Sequence, residues 1–260
     1  VSPGCRFGDH GITRGRVMGF HNGAKVVNDS LVFALDAGNP KCFSNGATTA
    51  TCLVTGFSVT GANGQPNDGT HTKNDANMPA HNSAKGGVFD FNGGRGMNVE
   101  GDLGGSGSGA ASWCVWYNKT ANSAVGGSTD YFFDARNDGG QWCLSSYQNH
   151  NINWHSAMEY NDGGSYTADN TNIFNNAFHY LVVTSDTSGS KIYIDGVDYT
   201  STADTTNSCD EEFGNNFRIG TRFTTSGQWE GYMGVIKLYN KKLSDAEVLQ
   251  NYNAHKGRFI

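Results

Sequence analysis

The carboxylates of this sequence are poorly spaced for shared chemistry. The stretch "CDEEF" sets Asp210, Glu211 and Glu212 side by side, and on a strand adjacent residues point to opposite faces. A retaining glycosidase needs two carboxyl groups about 5 Å apart, and an inverting one needs a wider gap. The run therefore reads as a solvated loop, while Glu159 and Glu230 stand isolated on strand-like segments. The histidines form no ligand set: His150 and His155, the nearest pair on strand-like sequence, would face opposite sides of a regular strand. No Gly-x-Ser-x-Gly elbow and no Gly-x-x-x-x-Gly-Lys-Ser/Thr phosphate loop occurs. These absences point away from an enzyme.

Metal and disulfide chemistry are equally faint. Cys5, Cys42, Cys52, Cys114, Cys143 and Cys209 include no Cys-x-x-Cys pair, which argues against a zinc site. Cys42 and Cys52 flank a polar loop that a bond could close, although small buried hydrophobes are the simpler expectation for the set. Asn-Asp-Gly-Gly occurs twice, at 137–140 and 161–164. Asp-Gly between alternating residues is a hairpin signal, because type I′ turns need positive φ at both central positions. Neither copy has the alternating acids and terminal Glu of a calcium loop. No cofactor is expected; were calcium held, Asp138 or Asp162 would help hold it.

Glycan binding fits the residue types better. A sugar site uses an exposed aromatic ring beside Asn and Asp hydrogen-bonding groups, and Trp142, Tyr147, Trp154 and Tyr160 lie near Asn- and Asp-rich turns. Core filling is the competing use of such rings.

The elements that would position these residues are mostly strands. Glycine is heavy at 36 of 260 residues, proline is scarce at 4, and charged residues are 16%. Aromatics at 12% argue against disorder. Such a composition suits many short strands joined by turns. Strands are expected at Leu31–Leu35, in "GGVFDFNGG", in "SWCVWYN", over Phe178–Ser185 and over Gln228–Asn240, with a further hairpin turning at Asp195-Gly196. In "SWCVWYN", Trp113, Val115 and Tyr117 share one face, and Cys114 and Trp116 share the other. Residues 61–84 read as a long polar loop with room for one short strand.

The chain closes on a helix. Ser244 stands as N-cap with Glu247 three residues on, a capping box. Over Ser244–His255, Leu243, Val248, Leu249 and Tyr252 form an apolar face that should cover sheet surface, and Gly257 suits the C′ position. Residues 1–29 differ: they lack strand alternation and carry +2, against −8 for the remainder. They are expected to form an N-terminal arm, free or laid on a partner surface, with Arg6, Arg14 and Arg16 as contacts to carboxylates. The net charge of −6 disfavours nucleic acid. No apolar run approaches the length that spans a membrane, and the N-terminus lacks the apolar stretch of a signal peptide.

Four blocks carry a resemblance. "LVFALDAGNPKCF", "VFDFNGG", "FHYLVVTSDTSGSKIYIDGVDYTS" followed by "FRIGTRF", and "EGYMGVIKLYNKKLSDAEVLQNYNAHKGRF" resemble, in order, the blocks of laminin-G-like domains of the concanavalin A-like lectin/glucanase superfamily. The resemblance implies an all-β, concanavalin A-like jelly-roll β-sandwich over residues 30–260, preceded by the arm and closed by the short helix. Glucanases of that superfamily carry Glu-x-Asp-x-x-Glu on one strand, a run this sequence lacks. "MGFHNGAKVV" and "NYNAHKGRF" further resemble virion structural proteins of tailed phages, especially marine cyanophages. By that comparison residues 1–17 are an extension, or Met18 is an alternative start. The 45–85 stretch departs from those relatives. The expectation is a non-enzymatic structural protein on the outer surface of a virion, in capsid or tail. Other virion proteins such as the major capsid protein would be its partners, and a homo-oligomer its state. A glycan-binding adhesin module on a tail fibre or cell surface, hence extracellular, is the alternative.

Overall fold

Apolar side chains on both faces of "SWCVWYN" require a partner on each side, and the fold supplies two. The computed structural model describes residues 25–62, 77–92, 94–100, 109–119, 129–134, 143–147, 151–155, 163–167, 174–200, 203–204, 216–222 and 228–260. In chain order the strands begin with β1 (Leu31–Asp36), β2 (Thr49–Thr51), β3 (Ser58–Gly61), β4 (Ala80–Asn82), β5 (Val88–Asp90) and β6 (Met97–Glu100). They continue with β7 (Ala110–Asn118), β8 (Thr129–Asp134), β9 (Cys143–Tyr147), β10 (Asn151–His155) and β11 (Gly163–Thr167). The last are β12 (Phe178–Asp186), β13 (Gly189–Ile194), β14 (Val197–Asp198), β15 (Ala203–Asp204), β16 (Asn216–Ile219) and β17 (Tyr232–Tyr239), followed by the helix α1 (Asp245–Phe259).

Two antiparallel sheets result. One runs β14-β13-β12-β7-β17-β5-β4, with β1 also on β17; the other runs β15-β11-β10-β9-β8-β16-β6-β3-β2. Trp113, Val115 and Tyr117 of β7 enter the core between the sheets, with Phe33, Leu181, Ile236, Val99 and Phe217. Cys114 and Trp116 enter a second core on the outer face of the first sheet, which α1 covers. Trp116 anchors that layer, its ring stacked at 5.1 Å on Tyr180, 5.6 Å on Tyr252 and 4.7 Å on Phe259. The molecule is therefore a sandwich with a third, helical layer on one side, the expected jelly-roll class.

The helix departs from expectation in two respects. Its capping box forms, with Ser244 Oγ accepting from the Glu247 N–H and Glu247 Oε2 accepting from the Ser244 N–H at 3.0 Å. But it runs past Gly257 to Phe259, so Gly257 is an interior residue rather than C′. Phe259 is worth the extra turn because its ring completes the stack on Trp116. Of the predicted docking face, Leu243 and Val248 are buried and Tyr252 is half-buried, but Leu249 is 46% exposed. Leu249 sits over the Asp195-Gly196 turn at the helix rim, not over the sheet.

That turn takes the expected positive φ values, 53° and 81°. The first Asn-Asp-Gly-Gly connection lies outside the described residues, between paired strands β8 and β9. In the second, Gly163 and Gly164 are strand residues paired with His155 and Trp154, so pairing starts inside the predicted turn. The strand expected from Gln228 begins at Tyr232, after Gly231 at φ 136°. Cys42, Cys52 and Cys114 are free and buried, so no bond closes the 42–52 loop. Residues 25–29 of the predicted arm are in place: Val27 is buried against the helical layer.

Candidate functional site

The four predicted aromatics separate once topology is known. Trp142 and Tyr160 lie outside the described residues; Trp142 immediately precedes β9, and Tyr160 falls in the connection between β10 and β11. Tyr147 ends β9 opposite Asn151. Trp154 stands opposite Leu144, two residues from Ile152, and both of those are core residues. Arg6, Arg14 and Arg16 also lie outside the described residues, as do Asp138, Asp162 and the run Asp210–Glu212.

The buried carboxylates of the nine-stranded sheet are committed to structure. Asp130 on β8 is ion-paired with Lys119, which follows β7. The Lys119 ammonium also donates to Ser146 Oγ at 3.2 Å and lies 4.7 Å from the Trp229 ring centre. Burial pulls the Lys119 pKa below the usual lysine range, opposed by the Glu230 charge. Asp134 stands in register with Arg218, which is fully buried. These residues tie β7, β8, β9 and β16 together. No cluster of three or more His, Cys, Asp or Glu suited to a metal ion occurs among the described residues.

A polar cleft of about 290 Å³ opens elsewhere, where the edge strands β2 and β4 approach each other. Its walls are Asn45 and Thr48, just before β2, with Met78 and His81 at β4 and Arg95 before β6. Short local bonds set each wall. The Ala47 N–H donates to the Ser44 carbonyl at 3.0 Å around Gly46, whose φ is 80°, which projects Asn45. The Gly96 N–H donates to the Asn77 carbonyl at 3.2 Å, holding Arg95 beside Met78. His81 Nε2 donates to the Ala37 carbonyl at 3.2 Å, leaving Nδ1 as an acceptor. Among the described residues, the side chains of Asn45, Thr48 and Arg95 form no hydrogen bond or ion pair, so their donors and acceptors face the cleft free. The sequence signal for this cleft was weak, because its residues are scattered over fifty positions of loop-like sequence. Five strand spacings separate β2 from β9, on the order of 24 Å along the sheet.

A two-sheet antiparallel jelly roll defines a lectin-like domain. The chain belongs to the concanavalin A-like lectin/glucanases superfamily: a laminin G family model matches residues 91–249, more than half of its length. Among solved structures it is similar to domain 4 of AbnA, a GH43 extracellular arabinanase from Geobacillus stearothermophilus, in complex with arabinotriose. That likeness has a TM-score of 0.60 and 17% identity, over 86% of this chain and 98% of the other. It is also similar to the binding domain of botulinum neurotoxin DC in complex with SialylT, with a TM-score of 0.61 and 14% identity, over 87% of this chain and 52% of the other. A botulinum neurotoxin type C structure, described as dependent for cell entry on two ganglioside molecules, gives 0.59 and 14% over 86% and 51%. The chain spans about half the length of those toxin chains. No curated protein gives a significant match. At these identities the likeness defines the fold.

Proposed function

We propose that this chain is a non-enzymatic glycan-binding module acting outside the cell. The observation that carries the reading is the β2/β4 cleft: unengaged amide, hydroxyl and guanidinium groups line it beside an apolar Met78 edge, the mixture a sugar ring requires. The arabinanase domain holding arabinotriose and the toxin domain holding SialylT support the class of ligand. The commitment of Asp130 and Asp134 to buried cations supports a binding role over hydrolysis. Neither metal nor other cofactor is required for this, and a thermal melt in excess chelator is expected to match the untreated one.

The test is a glycan array with the purified chain. Binding to at least one glycan class is expected, weakened about tenfold or more, roughly 1.4 kcal/mol, by Arg95→Ala or Asn45→Ala with the melt unchanged. Loss through Trp142→Ala or Tyr160→Ala instead would move the site to the β9–β11 end. No binding across the array would overturn the glycan reading.

A structural role in a virion is the second reading, favoured by one observation. The described end of one stretch that resembles phage virion proteins meets the other in space: the Val27 N–H donates to Asn251 Oδ1 at 2.9 Å, and Gln250 Nε2, just before the second stretch, donates to the Lys25 carbonyl at 2.7 Å. They form one unit at the base of the N-terminal segment, suited to fixing an arm that reaches a neighbouring subunit or the major capsid protein. Under this reading the glycan cleft faces outward from the particle.

A further inference from the structure

A second cavity, of about 450 Å³, lies at the edge of the first sheet between β1, β17, the Val26–Asn28 segment and α1. Its walls are mostly apolar, with Val26, Leu31, Ala34 and Val235 inside and Leu53 and Val54 at the mouth, and Asn28, Asp36, Lys237 and His255 supply the polar part. Leu53 and Val54 are 40% and 44% exposed, unusual for adjacent large aliphatics. The walls are pinned. The Leu53 N–H donates to the Ala34 carbonyl at 2.9 Å, and Tyr239 Oη donates to the Val27 carbonyl at 2.9 Å. The cavity is thus formed before any ligand arrives, and its size falls within the range of small-molecule sites.

Lys237 gives the cavity its chemistry. The residue is only 6% exposed and lines the cavity, and its ammonium has no hydrogen-bond or ion-pair partner among the described residues. Every other ionisable group around it among the described residues is already neutral or paired. Asp36 accepts from Arg258 Nη1 at 2.6 Å. His255 donates from Nδ1 to the Asn251 carbonyl at 3.2 Å, and burial holds it uncharged down to about 4. Burial pushes the Cys114 thiol up to about 12. A surplus of one positive charge remains in an apolar chamber. Burial lowers the Lys237 pKa to about 8, which leaves it protonated at neutral pH.

We propose that this cavity binds a small monocarboxylate with an apolar body, of the fatty-acid class, the carboxylate meeting the Lys237 ammonium and the chain lying between Ala34, Val235 and Val54. One ammonium without a guanidinium fork or a nest of N–H groups suits a single negative charge rather than a phosphate. The apolar walls offer a sugar few partners, so this site is independent of the glycan reading.

The test titrates the full chain calorimetrically with decanoate and with 1-decanol. Decanoate is expected to bind about tenfold or more tighter than decanol near neutral pH. Lys237→Met, which keeps the aliphatic stem, should erase that difference. Raising the pH to about 10 should weaken decanoate binding to the wild type but not to Lys237→Met. Ala34→Leu, which fills the chamber without touching the charge, should abolish both ligands. Absence of saturable decanoate binding, or equal affinity in Lys237→Met, overturns the proposal. So does a full chain that binds nothing while a chain starting at Lys25 binds tightly, because the occupant would then be the chain's own N-terminal segment.

Discussion

Lys237 on β17 and His255 on α1 line the same cavity, and burial acts on both in the same direction. His255 is lowered from 6.5 to about 4, first by burial and then by the Lys237 charge. Between those values the unfolded chain takes up a proton that the folded chain refuses, so stability falls as pH drops through that window. Lys237 is lowered from 10.5 to about 8 by burial, so the unfolded chain holds the extra proton across that higher window and stability rises with pH there. Denaturant unfolding across pH should therefore show a rise through each window; Lys237→Met should shrink the upper one to the part that buried Lys119 contributes, and should also shrink the lower one, because the Lys237 charge helps hold His255 down. An upper rise unchanged in Lys237→Met would mean that the cavity keeps the ammonium fully hydrated. The helix face gives a second test at this scale. Leu243→Ala should cost about 2–5 kcal/mol, whereas Leu249→Ala, at the exposed rim, should change stability by less than about 0.5 kcal/mol. Helical spacing placed both residues on one apolar face. It could not show that Phe259, beyond a glycine, would take the central position and leave Leu249 at the margin.

Among the elements, those with local signals were legible: the capping box of α1, the Asp195-Gly196 hairpin, and the two-faced strand β7. What local sequence could not convey was the order of strands. That order brings Asn45 and Arg95, from two loops, together with His81 of the edge strand β4. The contact between β17 and α1 was hidden for a related reason. A Cβ placed on Gly234 would come within 2.4 Å of the Phe259 ring. The glycine therefore serves the helix, twenty-five residues away, and not a turn of its own. Gly234→Ala should displace that ring from Trp116 and cost about 1–3 kcal/mol, the usual penalty of overpacking. The double variant Gly234→Ala with Phe259→Leu should recover part of the loss. Additive losses in denaturant unfolding would show that the glycine serves something other than this contact.

At the scale of the whole molecule, the start and end of the folded domain are closed by one ring of hydrogen bonds. The Val27 N–H donates to Asn251 Oδ1 at 2.9 Å, Asn251 Nδ2 donates to Tyr239 Oη at 3.1 Å, and Tyr239 Oη donates to the Val27 carbonyl at 2.9 Å. Asn251 and Tyr239 are fully buried, so neither can turn to water if Val27 is removed. The compositional boundary after Asp29 marks where strand alternation begins, but the physical boundary lies at least three residues earlier, because a single Val supplies the partner of two buried polar groups. A chain beginning at Lys25 should melt with the full chain. A chain beginning at Ser30 should be less stable by about 1–3 kcal/mol for each orphaned group. Equal melts for the two truncations would mean that water replaces Val27 and that the ring is incidental. The same pair of chains tests the arm. If residues 1–24, with Arg6, Arg14 and Arg16, dock on a neighbouring subunit, the Lys25 chain will keep its melt yet lose incorporation into oligomers or particles. Retained assembly by that stable chain would place the docking surface on the sandwich itself.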